Sequence, residues 1–99
     1  MSVLMNFAMF PTDKGMSVSP YVAKVVECVR LKGFPAQLTA MGTIVETDSF
    51  PEALRVLDDA YKTLGSDCDR VYVSVTFDIK KGQAGRIESK VKSVEQKLK

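Results

Sequence analysis

Ala36-Gln37-Leu38-Thr39-Ala40-Met41-Gly42-Thr43-Ile44-Val45-Glu46-Thr47 sets two short extended segments back to back. β-Branched Thr39, Thr43, Ile44, Val45 and Thr47 favour a pleated backbone. Gly42 offers the positive φ of a tight reversal between strands Ala36–Met41 and Thr43–Thr47. A helix is expected on either side of this doubled strand. Upstream, Ser19-Pro20 reads as a helix start, with Ser as N-cap and Pro at the first helical position. Val22, Val25, Val26 and Val29 follow as one 3.6-period stripe, and Gly33 supplies the left-handed stop. Downstream, Ser49-Phe50-Pro51-Glu52 is a capping-box signature. It opens the cleanest stripe in the chain: Phe50, Ala53, Leu54, Leu57, Ala60, Tyr61 and Leu64, ended by Gly65.

Working outward, Ser2 to Phe10 is apolar on both alternating sets, with only Asn6 intruding, as in a strand covered on both faces. Val71, Val73, Val75, Phe77 and Ile79 alternate with Tyr72, Ser74, Thr76 and Asp78, a strand with one apolar and one polar-leaning face. Beyond the polar loop Lys80 to Gly85, Ile87, Val91, Val94 and Leu98 mark a third amphipathic helix. The order β-α-β-β-α-β plus a C-terminal helix predicts an α+β, ferredoxin-like sandwich spanning residues 1–99 as one domain. Right-handed crossovers put both main helices on one face of a four-stranded antiparallel sheet. The other face, carrying Leu4, Asn6, Ala8, Phe10, Tyr72, Ser74 and Thr76, is then bare. It is too apolar to be simply wet, so sheet-on-sheet or edge-to-edge association is expected, with a small polar pocket at the seam.

Composition narrows the function. With no histidine among 99 residues, neither a Ser-His-Asp nor a Cys-His nucleophile system can be built, and the common zinc sites lose their nitrogen ligand. The net charge of +2 does not by itself imply nucleic acid, although Lys80 to Lys99 is locally basic. A solvated helix face is the plainer account of that tail. No apolar run approaches the ~20 residues of a membrane span. Ser2 to Pro11 reads as a strand rather than a signal peptide, and Cys28 and Cys68, with no CxxC, read as reduced thiols; a cytoplasmic location is expected. Acylphosphatases share the topology but need an anion-gripping arginine in the first loop, absent from Thr12 to Val18. RNA-recognition domains need aromatics on the central strands, absent from Thr43 to Thr47.

The candidate binding residues each have a plainer alternative. Thr39, Thr43 and Glu46 form an ordinary hairpin with a solvated charge, or else a carboxylate and two hydroxyls that hold an organic cation. Ser17 and Ser19 are caps, or anion contacts at a helix N-terminus. Asn6 makes a structural hydrogen bond to a neighbouring strand, or else recognises a ligand.

Phe10-Pro11, Gly15, Ser17-Val18-Ser19-Pro20-Tyr21-Val22, Leu38-Thr39-Ala40-Met41-Gly42-Thr43, Glu46, Asp69-Arg70-Val71 and Lys92-Ser93-Val94-Glu95-Gln96-Lys97-Leu98 occur in this order and spacing. Together they resemble the small thiamine-binding protein family with YkoF-like, ferredoxin-like subunits, over nearly the whole chain. Ala40 stands where that family's pattern favours proline, a departure that loosens a strand end without touching side-chain chemistry. The resemblance implies homotetramers built as dimers of dimers, binding of thiamine or its hydroxymethylpyrimidine moiety, and no catalytic activity, required cofactor, nucleic acid or membrane. It implies Glu46 as counter-charge to the thiazolium. Asn6, Thr39, Thr43, Ser74 and Ser19 become polar contacts, and Phe10 or Tyr72 the flat wall. A regulatory or assembly domain of the ACT kind, binding another metabolite at a subunit seam, is the alternative.

Overall fold

The computed structural model describes residues 1–82 and 84–98; Gln83 of the polar loop and Lys99 of the basic tail lie outside them. The elements run β1 (Ser2–Pro11), α1 (Ser19–Leu31), β2 (Ala36–Thr39), β3 (Gly42–Thr47), α2 (Phe50–Lys62), β4 (Val71–Lys80) and α3 (Arg86–Glu95). The sheet is antiparallel, in the order β2-β3-β1-β4, so β1 and β3 are central as the ferredoxin-like reading requires.

Register sorts the side chains. Met5 opposes Val45 and Phe77, and Phe7 opposes Thr43 and Val75. Opposed residues of an antiparallel pair share a face, so Val3, Met5, Phe7 and Met9 all point towards the helices. They meet Val25 and Val29 of α1 and Ala53, Val56 and Ala60 of α2, with Leu64 closing the core. The helices lie over β1, β2 and β3 and cover β4 less completely. Phe50, at the start of α2, sets its ring edge-on to Phe77 at 4.9 Å, while Val73 and Ile79 stay 38% and 48% exposed.

Helix ends follow local chemistry, with two differences from expectation. At α2, Ser49 is extended at the N-cap and its hydroxyl oxygen accepts from the Glu52 N–H at 3.3 Å. The reciprocal bond joins the Ser49 hydroxyl to the Glu52 carboxylate at 2.9 Å instead of returning to the backbone. At α1, Val18 occupies the N-cap and makes no side-chain cap, so Ser19 is the first helical residue. Pro20 still fits, because a first-turn N–H has no helical partner to lose. Gly33, with φ at +80°, takes the left-handed conformation past the end of α1.

Gly42 differs in kind. It does not have positive φ. Its lack of a side chain matters because a Cβ there would lie 2.8 Å from the Phe7 carbonyl oxygen and 3.0 Å from Asn6 Oδ1. The reversal itself is tied by Thr39, whose hydroxyl donates to the Gly42 carbonyl at 2.9 Å and accepts from the Met41 and Gly42 N–H groups, each at 3.2 Å. β2 therefore ends at Thr39 rather than Met41.

Candidate functional site

The sheet face opposite α1 and α2 carries Ser2, Leu4, Asn6, Ala8 and Phe10 of β1. Beside them lie Ile44 and Glu46 of β3, and Tyr72, Ser74, Thr76 and Asp78 of β4. This is the face expected to be bare, but α3 shelters one end of it. Arg86, at the start of α3, is 5% exposed. Its guanidinium donates to Asp78 Oδ2 at 2.9 Å, to the Asp78 carbonyl at 2.6 Å, to the Ser2 carbonyl at 2.8 Å and, through Nε, to Ser2 Oγ at 3.0 Å. Lys90 adds a second cation to Asp78 at 2.8 Å.

Glu46 completes this corner. Its Oε2 accepts from the Ser2 hydroxyl at 2.5 Å, while Oε1 accepts from the backbone N–H groups of Arg86 and Ile87 at 3.0 and 3.4 Å. First-turn N–H groups lack helical partners, and the helix dipole favours an anion beside them. Glu46 therefore caps α3 from another strand, beside Gly85, whose φ of +76° turns the chain into the helix. Burial pushes the Glu46 carboxyl upward, but the Ser2 hydroxyl and the Arg86, Ile87 and Gly85 backbone outweigh it and hold it below the usual range. Glu46, expected as counter-charge to a ligand, is 5% exposed, and within this chain its oxygens serve Ser2 and the start of α3.

At the other end the face is open. Asn6, Phe7, Ala8, Met41, Ser74 and Thr76 line a niche of about 80 Å³. Among the described residues the Asn6 amide and the Ser74 and Thr76 hydroxyls have no side-chain hydrogen-bond partner. The Phe10 and Tyr72 rings lie next along the same face, 5.4 Å apart and tilted by 38°. Around the hairpin edge, a cleft of about 190 Å³ runs between β1, α1 and the β2–β3 turn. Phe10, Thr39 and Thr43 line it, and it shares Phe7, Ala8 and Met41 with the niche.

The sequence-derived candidates thus divide. Asn6, Phe10, Tyr72 and Ser74 share the open face. Thr43 lies on the helix side, because residues 43 and 46 are three apart in a strand and must point oppositely; it borders the cleft and is 5% exposed. Thr39 borders the same cleft with its hydroxyl engaged in the turn. Ser19 lies apart, in an apolar groove beside Val22, Val26 and Leu38. Sequence reasoning put Thr76 on this face without naming it as a contact, and it missed Met41 and the Ser2–Arg86–Asp78 corner. Ser2, a polar residue opening an apolar strand, was the only local signal for that corner.

Comparison with known proteins finds relatives over nearly the whole chain. The sequence profile of a family described as thiamine-binding protein matches residues 5–95. A UPF0045 protein of Methanocaldococcus jannaschii is 35% identical over 92 residues, covering 93% of this chain and 91% of the relative. A UPF0045 protein of Mycobacterium bovis is 32% identical over 98 residues, covering 99% and 96%. Among solved structures, a hypothetical protein from Methanocaldococcus jannaschii has a TM-score of 0.86 at 34% identity, covering 96% of this chain and 97% of its own. A putative thiamine biosynthesis/salvage protein from Thermotoga maritima has a TM-score of 0.82 at 19% identity, covering 95% and 99%. At that identity the likeness is one of fold.

Proposed function

This chain belongs to the thiamine-binding protein family, and on that premise we propose that it binds thiamine or its hydroxymethylpyrimidine moiety at a seam between subunits, without catalysis. The observation that carries the reading is the open-face niche. An unpartnered amide, Asn6, stands with Ser74 and Thr76 beside the Phe10–Tyr72 ring pair. An aminopyrimidine presents donors and acceptors that an amide and hydroxyls match, and a flat cation is attracted to aromatic faces. With Glu46 engaged by α3, the aromatic pair takes over the thiazolium charge. Thr43 and Met41 border the continuation of the site into the cleft.

On one chain the niche is far smaller than the ~300 Å³ or more of ordinary ligand pockets. A second copy is therefore needed to wall it. In this reading the subunits assemble as a dimer of dimers, and the protein is a cytoplasmic carrier, buffer or sensor. No helix among the described residues is long and apolar enough to cross a membrane.

Isothermal titration with thiamine and with hydroxymethylpyrimidine tests the proposal, alongside thermal melting. A ligand at a hundredfold excess over its Kd stabilises the folded state by about 2.7 kcal/mol, a shift easily read in a chain this size. Saturating thiamine and hydroxymethylpyrimidine that release no heat and leave the melting temperature unmoved would remove the ligand from the proposal.

A further inference from the structure

We infer that Arg70 extends the proposed site and receives a phosphate ester, so that the ligand selected is thiamine carrying one phosphate on its hydroxyethyl arm. The inference rests on the binding reading above and names the form of the ligand.

Arg70 immediately precedes β4, yet the register of the sheet continues through it. Pro11 opposes Val71, and the Thr12 N–H donates to the Arg70 carbonyl at 2.9 Å, which adds one more pair. Side chains alternate between faces along a strand, so Arg70, Tyr72, Ser74 and Thr76 project to the same side. That side is the open face. The loop after β1 also holds the backbone here, because the Asp13 carboxylate accepts from the Asp69 N–H at 2.7 Å. A fixed backbone therefore presents an exposed arginine at the end of the face. Among the described residues its guanidinium makes no hydrogen bond or ion pair.

The chemistry along this side runs from amide and hydroxyls, through aromatic rings, to a cation. Residues on one face of a strand recur about every 7 Å, a step comparable with that between consecutive groups of thiamine. An aminopyrimidine at Asn6, Ser74 and Thr76 sets the thiazolium beside the Phe10–Tyr72 pair. The hydroxyethyl arm leaves the thiazolium on the side away from the pyrimidine, and so points to Arg70. The opposite direction is closed. There α3 shelters the face, and Asp78 is already neutralised by Arg86 and Lys90.

A free hydroxyethyl arm ends in a neutral hydroxyl and gives the guanidinium no charge to meet. A phosphate monoester carries about −1.5 to −2 charges at pH 7. It also offers oxygens that the planar guanidinium fork grips in pairs. Asp13 and Asp69 are the carboxylates next to Arg70. A single guanidinium beside them matches one phosphoryl group rather than a longer, more negative tail.

Titration calorimetry with thiamine and with thiamine monophosphate tests the inference on wild type, Arg70→Gln and Arg70→Lys. Wild type is expected to bind the monophosphate roughly tenfold more tightly than thiamine, and by a smaller margin as salt is added. Arg70→Gln is expected to remove that preference, with thiamine affinity no weaker than in wild type and the melting temperature unmoved. Arg70→Lys, a point charge without the fork, is expected to keep part of it. Equal affinities in wild type overturn the inference and leave the proposed site standing. A preference that survives Arg70→Gln gives the phosphate to another cation and overturns it too. Loss of both compounds in Arg70→Gln overturns it in favour of a structural role. If neither compound binds wild type, the proposed site itself falls, and the role of Arg70 with it.

Discussion

Replacing Glu46 by glutamine is the sharpest perturbation this fold offers, because it separates a structural carboxylate from a ligand-binding one. Glu46 accepts three hydrogen bonds, from the Ser2 hydroxyl at 2.5 Å and from the Arg86 and Ile87 N–H groups at 3.0 and 3.4 Å. Glutamine keeps one oxygen for the two backbone donors, without the charge. Its amide N–H2 must then face Ser2 Oγ, which already accepts from Arg86 Nε at 3.0 Å. The Ser2 hydroxyl loses its acceptor. A bond to a charged group contributes about 1.5–3 kcal/mol against 0.5–1.5 for a neutral one, and an unsatisfied buried donor costs about 1–3 kcal/mol. The sum is a destabilisation of roughly 2–4 kcal/mol. In a domain of this size that lowers Tm by roughly 10–20 °C. Thermal and urea unfolding measure the total, and amide exchange is expected to show α3 losing protection first. Thiamine affinity, measured well below the new Tm, is expected to stay at the wild-type value. A Glu46→Gln variant that melts with the wild type while losing thiamine affinity would refute this reasoning and return Glu46 to the ligand.

Other expectations concern the same corner and the open face. Because the Glu46 carboxyl is held below its ordinary value of 4.5, its stabilisation is complete above that value and is lost as pH falls through the lower folded one; acid titration of stability is expected to be steeper in wild type than in Glu46→Gln. Asp78, lowered first by the Lys90 hydrogen bond and then by Arg86, acts with the same sign. Asn6→Ala and Ser74→Ala are expected to weaken thiamine binding about 5- to 50-fold by titration calorimetry with little change in Tm, and equal affinity in both would dismiss the niche. Gly42→Ala, whose Cβ meets the Phe7 carbonyl at 2.8 Å, is expected to cost about 1–3 kcal/mol; an unchanged urea midpoint would show that the hairpin yields freely.

Much of the architecture was legible in residue order because each element announces itself locally. The valines at 22, 25, 26 and 29 and the Ser49-to-Glu52 box specify helices from within, and the alternation from Val71 to Ile79 specifies a strand. Two strands in succession between two helices then leave few topologies. Parity does the rest, which is why residue order alone puts Asn6, Phe10, Tyr72 and Ser74 on one face, as the register does.

Parity also shows where residue order misled. Thr43 and Glu46 read as one group along the chain, yet an odd separation sends them to opposite sides of the sheet. Gly42 read as a turn glycine, but its reason is the approach of β1, a neighbour more than thirty residues away in sequence. The fate of Glu46 lay furthest out of reach. Its partners, Ser2 and Arg86, are 44 and 40 residues distant, and no local pattern distinguishes a carboxylate that caps a remote helix from one that faces water. Secondary structure, sheet order and face depend on propensity and periodicity, which neighbouring residues carry. Which charges are satisfied, and which polar groups are left for a ligand, depends on contacts made only when the chain has closed on itself.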